Sequence, residues 1–328
     1  MMKTMKMIVA GTLACMCLTT VQAQEKSEAP KGKAIIQVFG NFHTGFGADN
    51  DDRGFELDRS YLGYQYDLGK GISVKGVMDV GQSDDVNDYH RIAYIKNAQL
   101  TWKTGKWTLN GGLISTTQFN YQEKQWGYRY IMKSFQDLYK FGSSADLGLS
   151  AAYQFTDWLS ADAIIVNGEG YKKIQKTDGL AYGLGATVTP LKGLSIRLYA
   201  GVNEGREATQ TDVWNYAAFV GYKGNGFHIG AEYNLMENYK NVRGQNLSGL
   251  SLYGSANLSK TIAAYARYDQ LMSKDDWNKA KDEQALILGA QFKCGQYVKI
   301  APNFRLTMPA ADGADNHYSA YVSCYFGL

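Results

Sequence analysis

The sequence predicts an all-β fold, a transmembrane antiparallel β-barrel of 16 strands with short periplasmic turns and longer external loops. Three observations carry this. Apolar and polar residues alternate with period two in segment after segment from residue 33 onward, the pattern of strands with one apolar and one polar face. The connectors between these segments alternate in length, short then long. No window beyond the amino-terminal stretch approaches the ~18 apolar residues that a spanning helix needs, so any membrane reading rests on strands.

The first 23 residues read as a signal peptide and are set apart from the fold. Lys3 and Lys6 form a basic start, Met7 to Leu18 an apolar core, and Val21-Gln22-Ala23 a small-residue cleavage site. Lipoprotein processing at Cys15 is the alternative, but Thr12 occupies the position where Leu is usual. Without residues 1–23, the 34 basic residues fall by two to 32 against 31 acidic ones, a formal charge of +1. That balance gives no footprint for nucleic acid. Residues 24–32 then form a short periplasmic segment, and 33–328 the barrel.

The strands follow in order. Segments 33–46 and 55–67 flank a polar connector, and the turn Leu68-Gly69-Lys70-Gly71 leads to 72–81. After a loop at 82–91 come 92–103, the turn Thr104-Gly105-Lys106, and 107–116. A third external loop, 117–145, precedes 146–155, which turns at Thr156-Asp157 into 158–167. Strands 180–189 and 194–202 are joined by Pro190-Leu191-Lys192-Gly193, and 213–222 and 227–236 by Lys223-Gly224-Asn225-Gly226. The pair 248–258 and 261–270 turns at Ser259-Lys260, 284–294 and 297–307 at Gly295-Gln296, and 317–328 closes the series. Short turns on one side and long loops on the other are the asymmetry of outer-membrane barrels, with an even strand number.

Within each segment the two faces differ. In 317–328, Tyr318, Ala320, Val322, Cys324, Phe326 and Leu328 oppose Ser319, Tyr321, Ser323 and Tyr325. A soluble sandwich would alternate in the same way. The aromatics favour a membrane: Tyr64, Tyr66, Trp102, Trp107, Tyr153, Phe155, Tyr222, Phe227, Phe292 and Phe326 gather on the apolar face beside the short turns, as an interfacial girdle does. Cys294 and Cys324 share that face with one strand between them, about 9.5 Å of sheet, beyond the ~7 Å that a disulfide spans. They are expected to be free thiols facing lipid.

Several stretches resemble the phosphate-selective porin O and P superfamily. These are Phe55-Glu56-Leu57-Asp58-Arg59-Ser60-Tyr61-Leu62-Gly63 with the following Gly turn and Ile72 to Val80, Asn167-Gly168-Glu169-Gly170-Tyr171, and Lys299-Ile300-Ala301-Pro302-Asn303-Phe304-Arg305. The resemblance implies a sixteen-stranded, homotrimeric porin in the outer membrane of a Gram-negative bacterium, passing small solutes. Phosphate selectivity does not carry over, because the dense run of Arg and Lys on which it depends in that family is missing here.

Alternation assigns charged residues to the lumen: Arg59, Lys75, Arg197, Arg267, Lys299 and Arg305 on the basic side, and Asp79, Asp162, Glu232 and Asp269 on the acidic side. A basic residue facing lipid at the midplane costs about 2–4 kcal/mol, so these positions are expected to face water. Lys96 shares parity with Ala98, Leu100 and Trp102; it lies either above the apolar band or at a bulge. Six positive against four negative charges predict at most a slight anion preference.

Loop 117–145 is far longer than ordinary connectors, and loops of that length are usually functional or disordered. Its aromatic and basic composition argues for order. It is expected to fold inward and narrow the pore with Arg129, Lys133 and Lys140 near the eyelet, the alternative being an external cap or trimer contact. Ile131, Phe135 and Leu138 predict a short helix over 128–138.

An enzyme is disfavoured. His43, His90, His228 and His317 show no metal-ligand spacing, and there is no Gly-x-Ser-x-Gly elbow. No cofactor is expected. The remaining rival is a barrel-anchored surface receptor or adhesin, but apart from 117–145 the loops are modest and residues 24–32 are too short to plug a lumen. The sequence therefore favours passive diffusion of small hydrophilic solutes or ions, with membrane lipid as the surrounding partner.

Overall fold

The computed structural model describes residues 31–47, 50–82, 91–173 and 178–328. The expected signal peptide and residues 24–30 lie outside the described residues, as does most of the 82–91 loop. Sixteen strands form one closed antiparallel barrel. They are β1 (Lys31–Phe46), β2 (Arg53–Gly69), β3 (Ile72–Gln82), β4 (Arg91–Thr104), β5 (Trp107–Ser115), β6 (Ala145–Thr156), β7 (Leu159–Val166), β8 (Ala181–Val188), β9 (Leu194–Asn203), β10 (Val213–Lys223), β11 (Phe227–Glu237), β12 (Leu247–Asn257), β13 (Ile262–Ser273), β14 (Glu283–Cys294), β15 (Val298–Pro309) and β16 (His317–Gly327). Each strand pairs with its sequence neighbours, and β1 closes on β16 with Phe46 opposite Tyr318. Closure leaves no edge strand among them, so the backbone bonds of every strand are made within the sheet.

The two faces behave as their alternation requires. Leu147 and Leu149 of β6 are exposed while Asp146 and Ser150 are buried, and Ile229 and Tyr233 of β11 are exposed while Glu232 and Asn234 are buried. Burial is inverted relative to a soluble protein, with apolar side chains outside and polar ones within. Cys294 and Cys324 are free and exposed on the outer face.

Two bulges re-aim side chains. Between Phe39 and Asn41 of β1, the β2 strand carries an extra residue, and Asp58 turns inward to accept a 2.7 Å bond from Asn41 Nδ2. In β4, Val77 faces Asn97 but the next pair is Met78 with Ile95, so Lys96 is the inserted residue. Strict alternation would have sent Lys96 into lipid. A bulge is the device that redirects a single side chain without shifting the rest of the strand, and the Lys96 amine reaches inward to Tyr61 Oη at 3.2 Å and Ser144 Oγ at 3.1 Å.

The long connector between β5 and β6 departs from the expected helix over 128–138. It holds α1 (Asn120–Trp126) and a single turn, α2 (Phe135–Leu138). Gly127 stops α1 in the left-handed conformation, φ 73°, where a side chain would be strained, and its N–H donates to the Glu123 carbonyl at 3.0 Å. Ser134 is extended, so the second helical turn starts afresh. The apolar spacing of Ile131, Phe135 and Leu138 therefore does not mark one continuous helix; Ile131 and Phe135 pack on the barrel wall.

Candidate pore and its constriction loop

Inside the barrel, the connector between β5 and β6 packs on the inward face. Trp126, Tyr128, Tyr130 and Ile131 form one apolar cluster with Tyr253 of β12, Tyr265 of β13, Ile287 of β14, and Phe39 and Tyr61 of β1 and β2. The loop therefore touches wall strands far apart on the ring. Tyr130 Oη donates to Gln291 Oε1 at 2.9 Å and Trp126 Nε1 to the Met132 carbonyl at 2.9 Å. Phe135 lies against Gly249 of β12, where a Cβ would stand 1.9 Å from the ring.

Three arginines hold the loop's main chain to the wall. Arg197 Nη2 donates to the Thr117 carbonyl at 2.8 Å, Arg267 Nη1 to Lys133 O at 2.7 Å, and Arg305 Nη2 to Ile131 O at 2.8 Å. Two of them also grip a carboxylate through both nitrogens. Arg197 meets Asp162 at 2.6 and 3.0 Å, and Arg267 meets Asp269 at 2.9 and 2.6 Å. Paired forks of this kind are the stronger hydrogen bonds in proteins. Arg267 also lies 5.0 Å from the Trp126 ring and Arg305 3.6 Å from the Tyr321 ring, within cation–π range.

A second network joins the loop to β2, β3 and β4 around Tyr61. Its hydroxyl accepts from Arg59 Nη1 at 3.3 Å, Lys96 Nζ at 3.2 Å and Arg129 Nη2 at 3.2 Å. Arg59 pairs with Asp79 at 3.3 Å, and Asp79 also accepts a bond from Tyr171 of the next long loop. Arg129 bridges two carboxylates of its own loop, Glu123 and Asp137, the latter at 2.5 Å. Burial alone would raise the Asp137 carboxyl, but Arg129 and Lys133 beside it hold it below the usual carboxylate range. Burial lowers the Lys133 amine, helped by the nearby Arg59, Arg129 and Lys172.

The expected lumen residues all stand on inward parity, but they do not all meet open water. Asp79 and Asp269 are 1% exposed, Arg267 2%, and Arg197 and Glu232 3%; the β5–β6 loop lies on Arg197 and Arg267, and Tyr171 of the β7–β8 connector on Asp79. The expectation that these five face water is corrected accordingly; Asp79, Arg197, Arg267 and Asp269 are buried in ion pairs, the form in which buried charges are tolerated. Glu232 faces the backbone N–H of Phe135, with Arg267 nearby. Lys75 is half-buried, and Lys299 is half-buried with its amine 4.8 Å from the Tyr325 ring. Lys140 is exposed at the loop's return, after Tyr139, whose hydroxyl bonds Glu283 at the start of β14.

The wall over β4 to β6 is different. Gln99 donates to Thr101 and Asn110 at 2.9 Å each, and Asn110 donates to Ser150 at 3.0 Å, a polar belt whose bonds run from strand to strand. Tyr61, Glu123 and Asp137 are the residues that sequence reasoning passed over. Tyr61 shares the parity of Arg59, which was signal enough; the two loop acids were hidden among basic and aromatic neighbours.

Solved structures share the barrel fold. OprB of Pseudomonas putida aligns with TM-score 0.74 and 12% identity over 90% of this chain and 94% of that one. The anion-selective porin from Comamonas acidovorans gives 0.70 and 13% over 92% and 100%. The trimer form of OmpT, an outer membrane protein of Vibrio cholerae, gives 0.60 and 13% over 92% and 100%. The chain has a porin fold. No family model matches it, and no curated protein matches it.

Proposed function

We propose that the chain is an outer-membrane porin of a Gram-negative bacterium that lets small hydrophilic solutes and ions diffuse passively through a water-filled bore. One observation carries the reading: a closed barrel, apolar outside and polar within, has a long loop fastened to its inner wall by arginine bonds from β9, β13 and β15. A loop held there narrows the bore, with Arg129 and Lys133 in its inner segment and the polar belt of β4 to β6 as free wall.

The proposed assembly is a homotrimer, a reading supported by the neighbour solved in trimer form. A slight anion preference belongs to the proposal; phosphate selectivity does not, because most of the lumen's arginines are spent on carboxylates and loop carbonyls. The test is conductance. Folded protein added to planar lipid bilayers is expected to give stepwise, ohmic current increments, and protein that inserts but stays silent rejects the porin reading.

A further inference from the structure

Glu232 carries a charge that the lumen's ion pairs leave over. It is 3% exposed on β11, and among the described residues no ion pair reaches it, unlike Asp79, Asp162 and Asp269. Two buried carboxylates, Glu232 and Asp269, stand near one guanidinium, that of Arg267. Arg267 is already committed: its fork holds Asp269, and its remaining nitrogen holds the Lys133 carbonyl. The three groups together leave one negative charge uncompensated, where an unpaired buried ion is costly.

The surroundings of that carboxylate are rich in free oxygens. Glu232 lies directly across the sheet from Ser251, and Ser251 from Asp269, so the three stand in one inward row of β11, β12 and β13. Asn234 is the next inward residue of β11, opposite Gly249, and its side chain stands beside Glu232. Helix α1 packs on β11 and α2 on β12. Glu232 Oε2, Ser251 Oγ and both polar atoms of the Asn234 side chain are buried without a hydrogen-bond partner, Ser251 and Asn234 at 0% exposure. Gln122 of α1 also has both amide atoms buried and unpartnered; its backbone carbonyl accepts from Tyr253 Oη, two residues past Ser251, at 3.5 Å. Buried polar side chains are ordinarily paired, so orphaned oxygens gathered beside an uncompensated carboxylate point to a ligand.

We infer that Glu232, Ser251 and Asn234 form a binding site for one small monovalent cation, sodium in size, clamped between the wall and the β5–β6 loop. Charge decides the class. A single positive charge completes the neutralisation, whereas a divalent ion overshoots it, and among the described residues no group of three His, Cys, Asp or Glu is gathered to hold a metal ion. Carboxylate, hydroxyl and amide oxygens are the ligands that hard cations take. Gly249, opposite Asn234, is also where the Phe135 ring seats, so the site and the loop's anchorage are one structure. A cation bound there favours the folded chain over the unfolded one by mass action. The site belongs to the lumen wall and stands whatever solute the bore passes.

The experiment is urea unfolding of the folded protein in neutral detergent, at fixed alkaline pH and ionic strength, with choline chloride exchanged stepwise for sodium chloride. Choline is too large to enter a closed site. The wild-type urea midpoint is expected to rise with sodium and to level off as the site fills. Glu232→Gln, which keeps the shape and removes the charge, should have a midpoint indifferent to the exchange. Ser251→Ala, which keeps the charge and removes one ligand, should need more sodium for half of the rise. Equal wild-type midpoints in sodium and choline, or an undiminished sodium response in Glu232→Gln, would overturn the inference. So would a wild-type midpoint that rises on acidification but ignores sodium, the signature of a proton in the cation's place. Should Glu232→Gln fail to fold, Ser251→Ala decides, and an unchanged sodium requirement there overturns the inference.

Discussion

Arg267 shows how one side chain does two jobs in the lumen. Its fork neutralises Asp269 while its remaining nitrogen holds the Lys133 carbonyl, and both charges are almost fully buried. Removing one member of such a pair leaves the other uncompensated, which typically costs about 3–5 kcal/mol. Arg267→Ala is expected to lower the urea midpoint of the folded protein in detergent and to make open-channel current noisier as the loop loosens. Asp137 gives a complementary test in pH. Its carboxyl, buried but held low by Arg129 and Lys133, stabilises the loop while ionised, above the usual carboxylate range, and this contribution is lost as pH falls through its depressed value. Acidification below the ordinary carboxylate range is therefore expected to change conductance. Asp137→Asn should show the loosened behaviour already at neutral pH, with a smaller acid response. An acid response of undiminished size in that variant would assign it elsewhere. Inward direction at these positions was legible from parity alone; depth and partner were not, because both depend on where the loop lies.

At the scale of elements, the connector after β5 owes its seat to a missing side chain. Gly249 of β12 leaves room for the Phe135 ring, and a methyl group there would stand 1.9 Å from it. Gly249→Ala is expected to unseat Phe135, leaving the barrel intact, and to raise single-channel conductance; unchanged current would show that the loop reseats without effect. The sequence made the loop's length and aromatic content plain, and those foretell an ordered segment. Its helical geometry was misjudged, since the apolar spacing of Ile131, Phe135 and Leu138 ignores the break at Gly127 and the extended Ser134. The β4 bulge was half legible: Lys96 stood out as a charge on the wrong parity, but only the pairing of Val77 with Asn97 and Met78 with Ile95 shows that the strand, not the membrane depth, resolves it.

For the molecule as a whole, the strand count and the alternation of turn and loop could be read in full, because each strand meets apolar surroundings on one face and polar ones on the other. That double constraint writes period two into nearly every segment. The two outward thiols followed from the same parity and spacing. Charge balance across the lumen was less readable, since a tally of inward residues weighs the buried, paired Arg267 and the half-buried Lys75 alike. The seam between β1 and β16 carries one last implication. Phe46 meets Tyr318 only after the fourteen intervening strands have been laid down, so the cylinder can be sealed only late in assembly. Until then two open borders are available for mispairing with other chains, and maturation of this protein has to keep them apart until they can meet each other.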